Sequence, residues 1–292
     1  MSGESRLKAY QDMAERRLDA ILPSPDLDPE RLHLAMRHSA LAPGKRIRPA
    51  LCMAAAEAVG GTKESALEAG CAVELVHCFS LIHDDLPAID DDDLRRGRET
   101  SHVKFGEAIA ILAGDALFAL AFQVAAEIDT DDARVRRVIA VLAHATGSAG
   151  LVGGEVMDIQ SEGRDPDAAL LRTIHERKTG ALITACCVMG GVLGGGGEED
   201  LRRLSDYGNE VGLAFQISDD ILNETATAEK LGKAVGSDRA RGKQTYPALM
   251  GLDASIVEAD RWTRKAVLSV EGFSGDTAGL IELAHFAAER DS

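Results

Sequence analysis

The sequence predicts an all-α protein, and three observations carry that prediction. Aromatic residues are 4% of the chain against a hydrophobic fraction of 45%, so Ala, Leu, Val and Ile must fill the core. Such side chains suit close helix packing better than a β-sandwich. Apolar residues recur at three- and four-residue steps, as in Leu67, Cys71, Leu75, Cys78 and Ile82, which is the helical period. The periodicity supports no strand longer than a few residues. At 292 residues the chain could hold one large domain or two. Nothing between its motifs reads as a linker, so a single domain spanning 1–292 is expected.

Residues 5–22 read as a charged amphipathic helix that Pro23 and Pro25 stop. Asp28-Pro29-Glu30 reads as a helix start, an aspartate N-cap followed by proline at the first helical position. That helix runs to about Leu41. Pro43-Gly44 breaks it, and Lys45-Arg46-Ile47-Arg48-Pro49 follows. Residues 64–85 form a buried helix that Pro87 ends. Alanine-rich helices follow at 107–127 and 132–147, then LVGGEVMDIQ at 151–160. ERKTGALITACC opens another helix, with Lys178 and Thr179 at its start, where anions and polar contacts are favoured. Gly194 to Gly197 end it. Residues 198–224 make one more helix. Residues 225–245 are polar, basic and glycine-punctuated, which suits a lid or binding loop. Two amphipathic helices fill 254–290.

Composition excludes several functions. A net charge of −16 argues against a general nucleic-acid surface, but not against phosphate substrates held by local cations or metal. The five cysteines (Cys52, Cys71, Cys78, Cys186, Cys187) all lie in apolar stretches without CxxC spacing. They read as small buried hydrophobes in a reducing cytosol. The first twenty residues lack a contiguous apolar core, so no signal peptide is expected. The run Ala181 to Leu193 is too short to cross a bilayer. A soluble, cytoplasmic protein without stable membrane insertion is expected. No P-loop, HExxH, EF-hand or short repeat is present.

The chemistry concentrates in FSLIHDDLPAIDDDDLRRGR at 79–98. Asp84 and Asp85 end the apolar run, and Asp90 to Asp93 bring the count to six carboxylates in ten residues. Like charges at about 4 Å cost on the order of 1 kcal/mol in water and more at lower dielectric. Such a cluster is either a solvated loop or a cradle for cations. Hard divalent ions want carboxylate oxygens, and Mg²⁺ takes one or two carboxylates plus substrate phosphates. Arg95 and Arg96 follow at once and offer planar donors for phosphate oxygens. A second pair, Asp219 and Asp220 in FQISDDILN, also ends an apolar run, with Lys233 and Lys243 downstream. His77 lies seven residues before Asp84, nearly two turns, so both project from one helix face.

These pieces resemble the trans-isoprenyl diphosphate synthases, the polyprenyl synthetase family. That family has a first motif DDxxD or DDxxxxD followed by RRG, and a second of the form FQxxDDxxD. Here the first is Asp84-Asp85, four residues, Asp90, then Arg95-Arg96-Gly97. GKRIRP at 44–49, His77, KTG at 178–180, LGK at 231–233 and GK at 242–243 extend the match in family order over about residues 30–250.

The resemblance implies an isoprenoid synthase-type helical bundle around a central cavity, and a homodimer. It implies head-to-tail condensation of isopentenyl diphosphate with dimethylallyl or geranyl diphosphate, helped by Mg²⁺, with Mn²⁺ as a second candidate. Asp84, Asp85, Asp90, Asp219 and Asp220 would hold metal. Arg95, Lys178, Lys233 and Lys243, with Arg241 a further candidate, would offset charge on the leaving diphosphate. Lys45, Arg48, His77 and Arg96 would hold the acceptor. Thr179 and Gln216 would face the carbocation, and the departing diphosphate can take the final proton. LVGGEVMDIQ resembles the family's GQxxD segment, giving Asp158, with Glu155 where relatives have Gln. Asn223 stands where many have Asp. Phe79, five residues before Asp84, and its neighbour Ser80 would limit chain length. With the DDxxxxD spacing this points to (2E,6E)-farnesyl diphosphate (C15), with geranylgeranyl diphosphate (C20) as the alternative. A terpene cyclase of related fold would not need GKRxRP and His77. A non-catalytic subunit would normally have lost one acid pair.

Overall fold

The computed structural model describes residues 6–163, 167–225 and 245–288. Helices α1 (Arg6–Ile21), α2 (Glu30–Ala40), α3 (Ile47–Ala58) and α4 (Lys63–Asp84) lead to a small antiparallel hairpin of β1 (Leu94–Arg95) and β2 (Arg98–Glu99). Then come α5 (Ser101–Phe105), α6 (Glu107–Ala126), α7 (Asp132–Thr146), α8 (Leu151–Ser161) and α9 (Ala168–His175). A π-helical turn, Glu176–Gly180, joins α9 to α10 (Ala181–Gly194). The chain ends in α11 (Glu198–Thr225), α12 (Tyr246–Met250), α13 (Leu252–Ser269) and α14 (Ala278–Ala288).

Helix α4 sits at the centre, packed by α1, α2, α3, α6 and α10. It is apolar almost all round, as a helix enclosed by others must be. Thr62 caps it by accepting from the Ser65 N–H, and it stops at Asp84, three residues before Pro87. Small residues let its neighbours approach closely. A Cβ on Gly190 of α10 would lie 2.1 Å from the Cys52 carbonyl oxygen on α3, so only glycine fits there. All five cysteines are buried free thiols within this core.

Three features differ from the sequence expectations. Pro29 is the N-cap of α2 and keeps an extended backbone, while the Leu32 and His33 N–H groups reach its carbonyl. The helix therefore starts at Glu30 and has no side-chain cap bond, so Asp28 does not cap it. Lys178 and Thr179 do not open a helix. The chain runs from α9 into α10 through the π-helical turn with helical angles at His175 and Gly180, so no exposed helix terminus exists there. Finally, the short α12 precedes the two expected C-terminal helices. Lys233, Arg241 and Lys243 lie outside the described residues.

By length and hydropathy alone, three described stretches are long enough to cross a membrane: α4, α6 and Asp132–Ser161. The apolar window of α4 is 67% buried inside the bundle, but that of α6 is only 39% buried. Ile111 and Leu112 on α6 and Val152, Val156 and Ile159 on α8 are exposed.

Candidate active site

The end of α4, the loop before α3, the β1–β2 hairpin, α8, the π-helical turn and α11 enclose a cavity of about 770 Å³. Its wall contains Lys45, Arg48, His77, Ser80, Asp84, Asp90, Arg95, Arg96, Lys178, Thr179, Gln216, Asp219 and Asp220, so the fold gathers nearly all the site residues expected from sequence. His77 and Asp84 share the wall, as their two-turn spacing requires. The backbone after Pro87 folds back, and the Asp90 N–H donates to the Asp84 carbonyl at 2.8 Å. Leu81, Leu151, Ile174, Ile183 and Phe215 give the cavity an apolar lining.

The charged groups sort into two sides. On the acid side, Arg95 donates through Nε to Asp85 at 2.6 Å and lies 3.3 Å from Asp92. Lys178 Nζ lies 2.7 Å from Glu155 and 2.6 Å from Asp158. These two carboxylates hold the Lys178 ammonium well above its usual range, against the cost of burial. Withdrawal from water, helped by the charge of Glu155, pushes the Asp84 carboxyl up to about 7. Asp220 accepts from the Tyr246 backbone N–H at 2.9 Å and lies 3.8 Å from His175 Nε2. Burial lowers the buried His175 to about 4. Asp219 is exposed to the cavity, and Asn223 is buried outside its wall.

On the cation side, the loop before α3 is held by its carbonyls. Ala42, Pro43 and Gly44 oxygens accept from Arg46 at 2.7 Å, Arg96 at 2.8 Å and Gln11 at 2.9 Å. Arg46 and Arg96 both take left-handed backbone angles, at φ 51° and 53°. Lys45 sits over the Phe286 ring, 4.7 Å from its centroid. Burial lowers the Arg48 guanidinium from its ordinary value, against the pull of Glu74. Burial also holds His77 well below the usual histidine range, and Arg48 adds to the effect, so the imidazole is neutral near pH 7.

The residues expected to limit chain length divide. Ser80 is in the cavity wall, whereas the Phe79 ring packs edge-on to His83 at 4.7 Å and beside Phe118 at 4.9 Å, between α4 and α6.

A helical bundle whose cavity wall carries Asp84, Asp90, Asp219 and Asp220 together with Lys45, Arg48, Arg95, Arg96 and Lys178 and an apolar lining defines a class: a site suited to polyanionic ligands. The chain belongs to the polyprenyl synthetase family, whose model matches residues 29–269, and it is a prenyltransferase of that family. It is 45% identical over 289 residues to a heterodimeric geranylgeranyl pyrophosphate synthase large subunit from Arabidopsis thaliana, covering 96% of this chain and 77% of that protein. A geranylgeranyl pyrophosphate synthetase from Pyrococcus horikoshii has a TM-score of 0.88 at 32% identity, covering 98% of both chains. A geranyltransferase from Helicobacter pylori, complexed with magnesium and isoprenyl diphosphate, has a TM-score of 0.84 at 28% identity, covering 98% of this chain and 97% of that one.

The residues present fit a hard divalent cation, because the donors gathered in the wall are carboxylate oxygens. Among the described residues, no three His, Cys, Asp or Glu side chains are drawn together as a ready-made metal cage. Of the five expected ligands, Asp84, Asp90, Asp219 and Asp220 line the cavity, Asp220 also accepting from the Tyr246 N–H, and Asp85 is held by Arg95.

Three residues escaped the sequence reading. Glu74, Gln11 and His175 are all in the wall. Glu74 had a visible signal, a lone carboxylate inside an apolar helix one turn before His77.

Proposed function

We propose that this prenyltransferase condenses isopentenyl diphosphate with allylic diphosphates up to geranylgeranyl diphosphate (C20). The observation that carries the reading is one cavity lined by Asp84, Asp90, Asp219 and Asp220 and by a separate cation cluster, room for two diphosphates and one apolar tail. The two geranylgeranyl pyrophosphate synthases named above favour C20 over the C15 product expected from Phe79. So does the wall itself, where the small Ser80 stands and Phe79 is turned toward Phe118.

In this reading Asp84, Asp85, Asp90, Asp219 and Asp220 would hold Mg²⁺, which would supply charge neutralisation for the allylic diphosphate as its C–O bond breaks. Arg95 and Lys178 add fixed positive charge on the same side. Thr179 and Gln216 turn oxygen dipoles toward the allylic cation, and the apolar lining keeps water from it. Lys45, Arg48 and Arg96 bind the acceptor diphosphate, and neutral His77 donates a hydrogen bond to it. The acceptor double bond attacks the cation, and the departed diphosphate takes the proton. The exposed apolar faces of α6 and α8 support pairing with a second copy. The plant relative is named as a heterodimer subunit, so a different partner chain is the second reading of that surface.

The test is incubation of the purified protein with isopentenyl diphosphate and each primer, followed by chromatography of the dephosphorylated products. C20 alcohol as the end product is expected. A C15 end product returns the farnesyl reading. Diphosphate release from farnesyl diphosphate alone would indicate a cyclase.

A further inference from the structure

We infer that Glu74 is a positioning residue for the acceptor diphosphate, acting through Arg46 on the loop that carries Lys45 and Arg48. The inference rests on the acceptor assignment above. Glu74 is 2% exposed, yet it borders the cavity among arginines. Its Oε1 accepts from Arg46 Nη1 at 3.0 Å, and both side chains are almost wholly buried. It is also the acid whose charge acts most strongly on the Arg48 and Arg96 guanidiniums. Arg46 completes the arrangement by donating to the Ala42 carbonyl four residues back.

That pair of bonds explains why an arginine holds a left-handed backbone here. The conformation is unfavourable for any side chain with a Cβ and persists only where surrounding contacts over-determine it. The turn at Arg46 sets Lys45 on one side and starts α3 on the other, with Arg48 in its first turn. Glu74 thus occupies Arg46 so that the guanidinium serves the loop and stays off the ligand. The second oxygen of Glu74 and the Nε atoms of Arg46 and Arg48 are buried without hydrogen-bond partners. The grouping is therefore held by charge and shape and gives way when one member is neutralised. Lysine cannot replace Arg46, because a single ammonium lacks the planar fork that spans Glu74 and Ala42.

Steady-state condensation tests this, titrating isopentenyl diphosphate at saturating primer and then the reverse. Glu74→Gln is expected to raise KM for isopentenyl diphosphate by about tenfold to a hundredfold, the cost of a misplaced binding group. The primer KM and kcat should stay within about twofold, the signature of lost ground-state binding of one substrate. Arg46→Lys should show the same split. The double variant Arg46→Gln/Glu74→Gln removes the buried ion pair as a unit, so it should melt above Glu74→Gln alone while the acceptor KM remains raised. If Glu74→Gln fails to fold, the double variant decides by the same criterion. An unchanged or lowered acceptor KM in a folded variant, or equal loss for both substrates, overturns the inference alone. A wild type that does not condense isopentenyl diphosphate overturns the underlying reading with it.

Discussion

Gly154→Ala is the perturbation whose size the structure defines best. Gly154 lies on α8 against the π-helical turn, and an added Cβ would sit 2.3 Å from the Lys178 backbone nitrogen and 2.7 Å from its Cα. These are backbone atoms, so no side-chain rotation relieves the clash. Favourable heavy-atom contacts start near 3.5 Å, so α8 and the turn must part by about 1 Å. Overpacking of this kind costs about 1–3 kcal/mol. For a chain of this size that lowers the melting temperature by about 2–6 °C. The displaced segment carries Lys178 and Thr179, and a 1 Å shift of positioning groups costs up to about a hundredfold in rate. Thermal melting and kcat/KM for the allylic primer would be measured together. A variant that melts like wild type and turns over at the wild-type rate would refute the close approach of α8 to the turn.

Three further outcomes are expected. Ser80→Phe should shorten the product, whereas Phe79→Ala should chiefly lower stability, because Ser80 lines the cavity and Phe79 packs on Phe118; chain-length profiles and melts distinguish them. His77 binds a proton less readily in the folded chain than at its ordinary value of about 6.5, so the unfolded chain takes up that proton first on acidification. Stability should therefore fall as pH drops below about 6.5, and His77→Gln should flatten that slope in pH-dependent melting. Chelation of divalent ions should abolish condensation and weaken allylic diphosphate binding, while calorimetry should still detect isopentenyl diphosphate on Lys45, Arg48 and Arg96.

The helices were legible because their signals are local. The three- and four-residue apolar steps around Leu75 and the breaks at Pro87 and Gly195 need no tertiary information, and α4, α6, α7 and α11 lie within a residue or two of expectation. The acid pairs were legible because clustered carboxylates need solvent or a counterion whatever the fold. The partner of each charge was not. Glu155, which stands where relatives have Gln, is set against Lys178, 23 residues on and held by a turn that no local pattern announces. Arg96 looked like a free phosphate clamp, yet one of its nitrogens is spent on the Pro43 carbonyl across 53 residues. The surroundings of Phe79 were hidden for a related reason. Its spacing from Asp84 fixes a direction on the helix, but the arrival of Phe118 on α6 decides where the ring goes.

The two sides of the cavity meet the same electrostatic problem in opposite ways. Around the loop before α3, Lys45, Arg46, Arg48 and Arg96 face the single buried acid Glu74, so positive charge is in excess and an incoming diphosphate completes the balance. Around the end of α4 the cations are already committed, Arg95 to Asp85 and Lys178 to Glu155 and Asp158, and carboxylates outnumber them. A second diphosphate brought there alone would add repulsion to an acidic wall. It becomes bindable only together with a cation that both the wall and the ligand can share. The chain can therefore carry a net charge of −16 and still handle two polyanions. On the proposed function, one diphosphate would meet fixed arginine and lysine and the other would arrive with its own counter-charge, which would confine metal dependence to the side where a C–O bond must break.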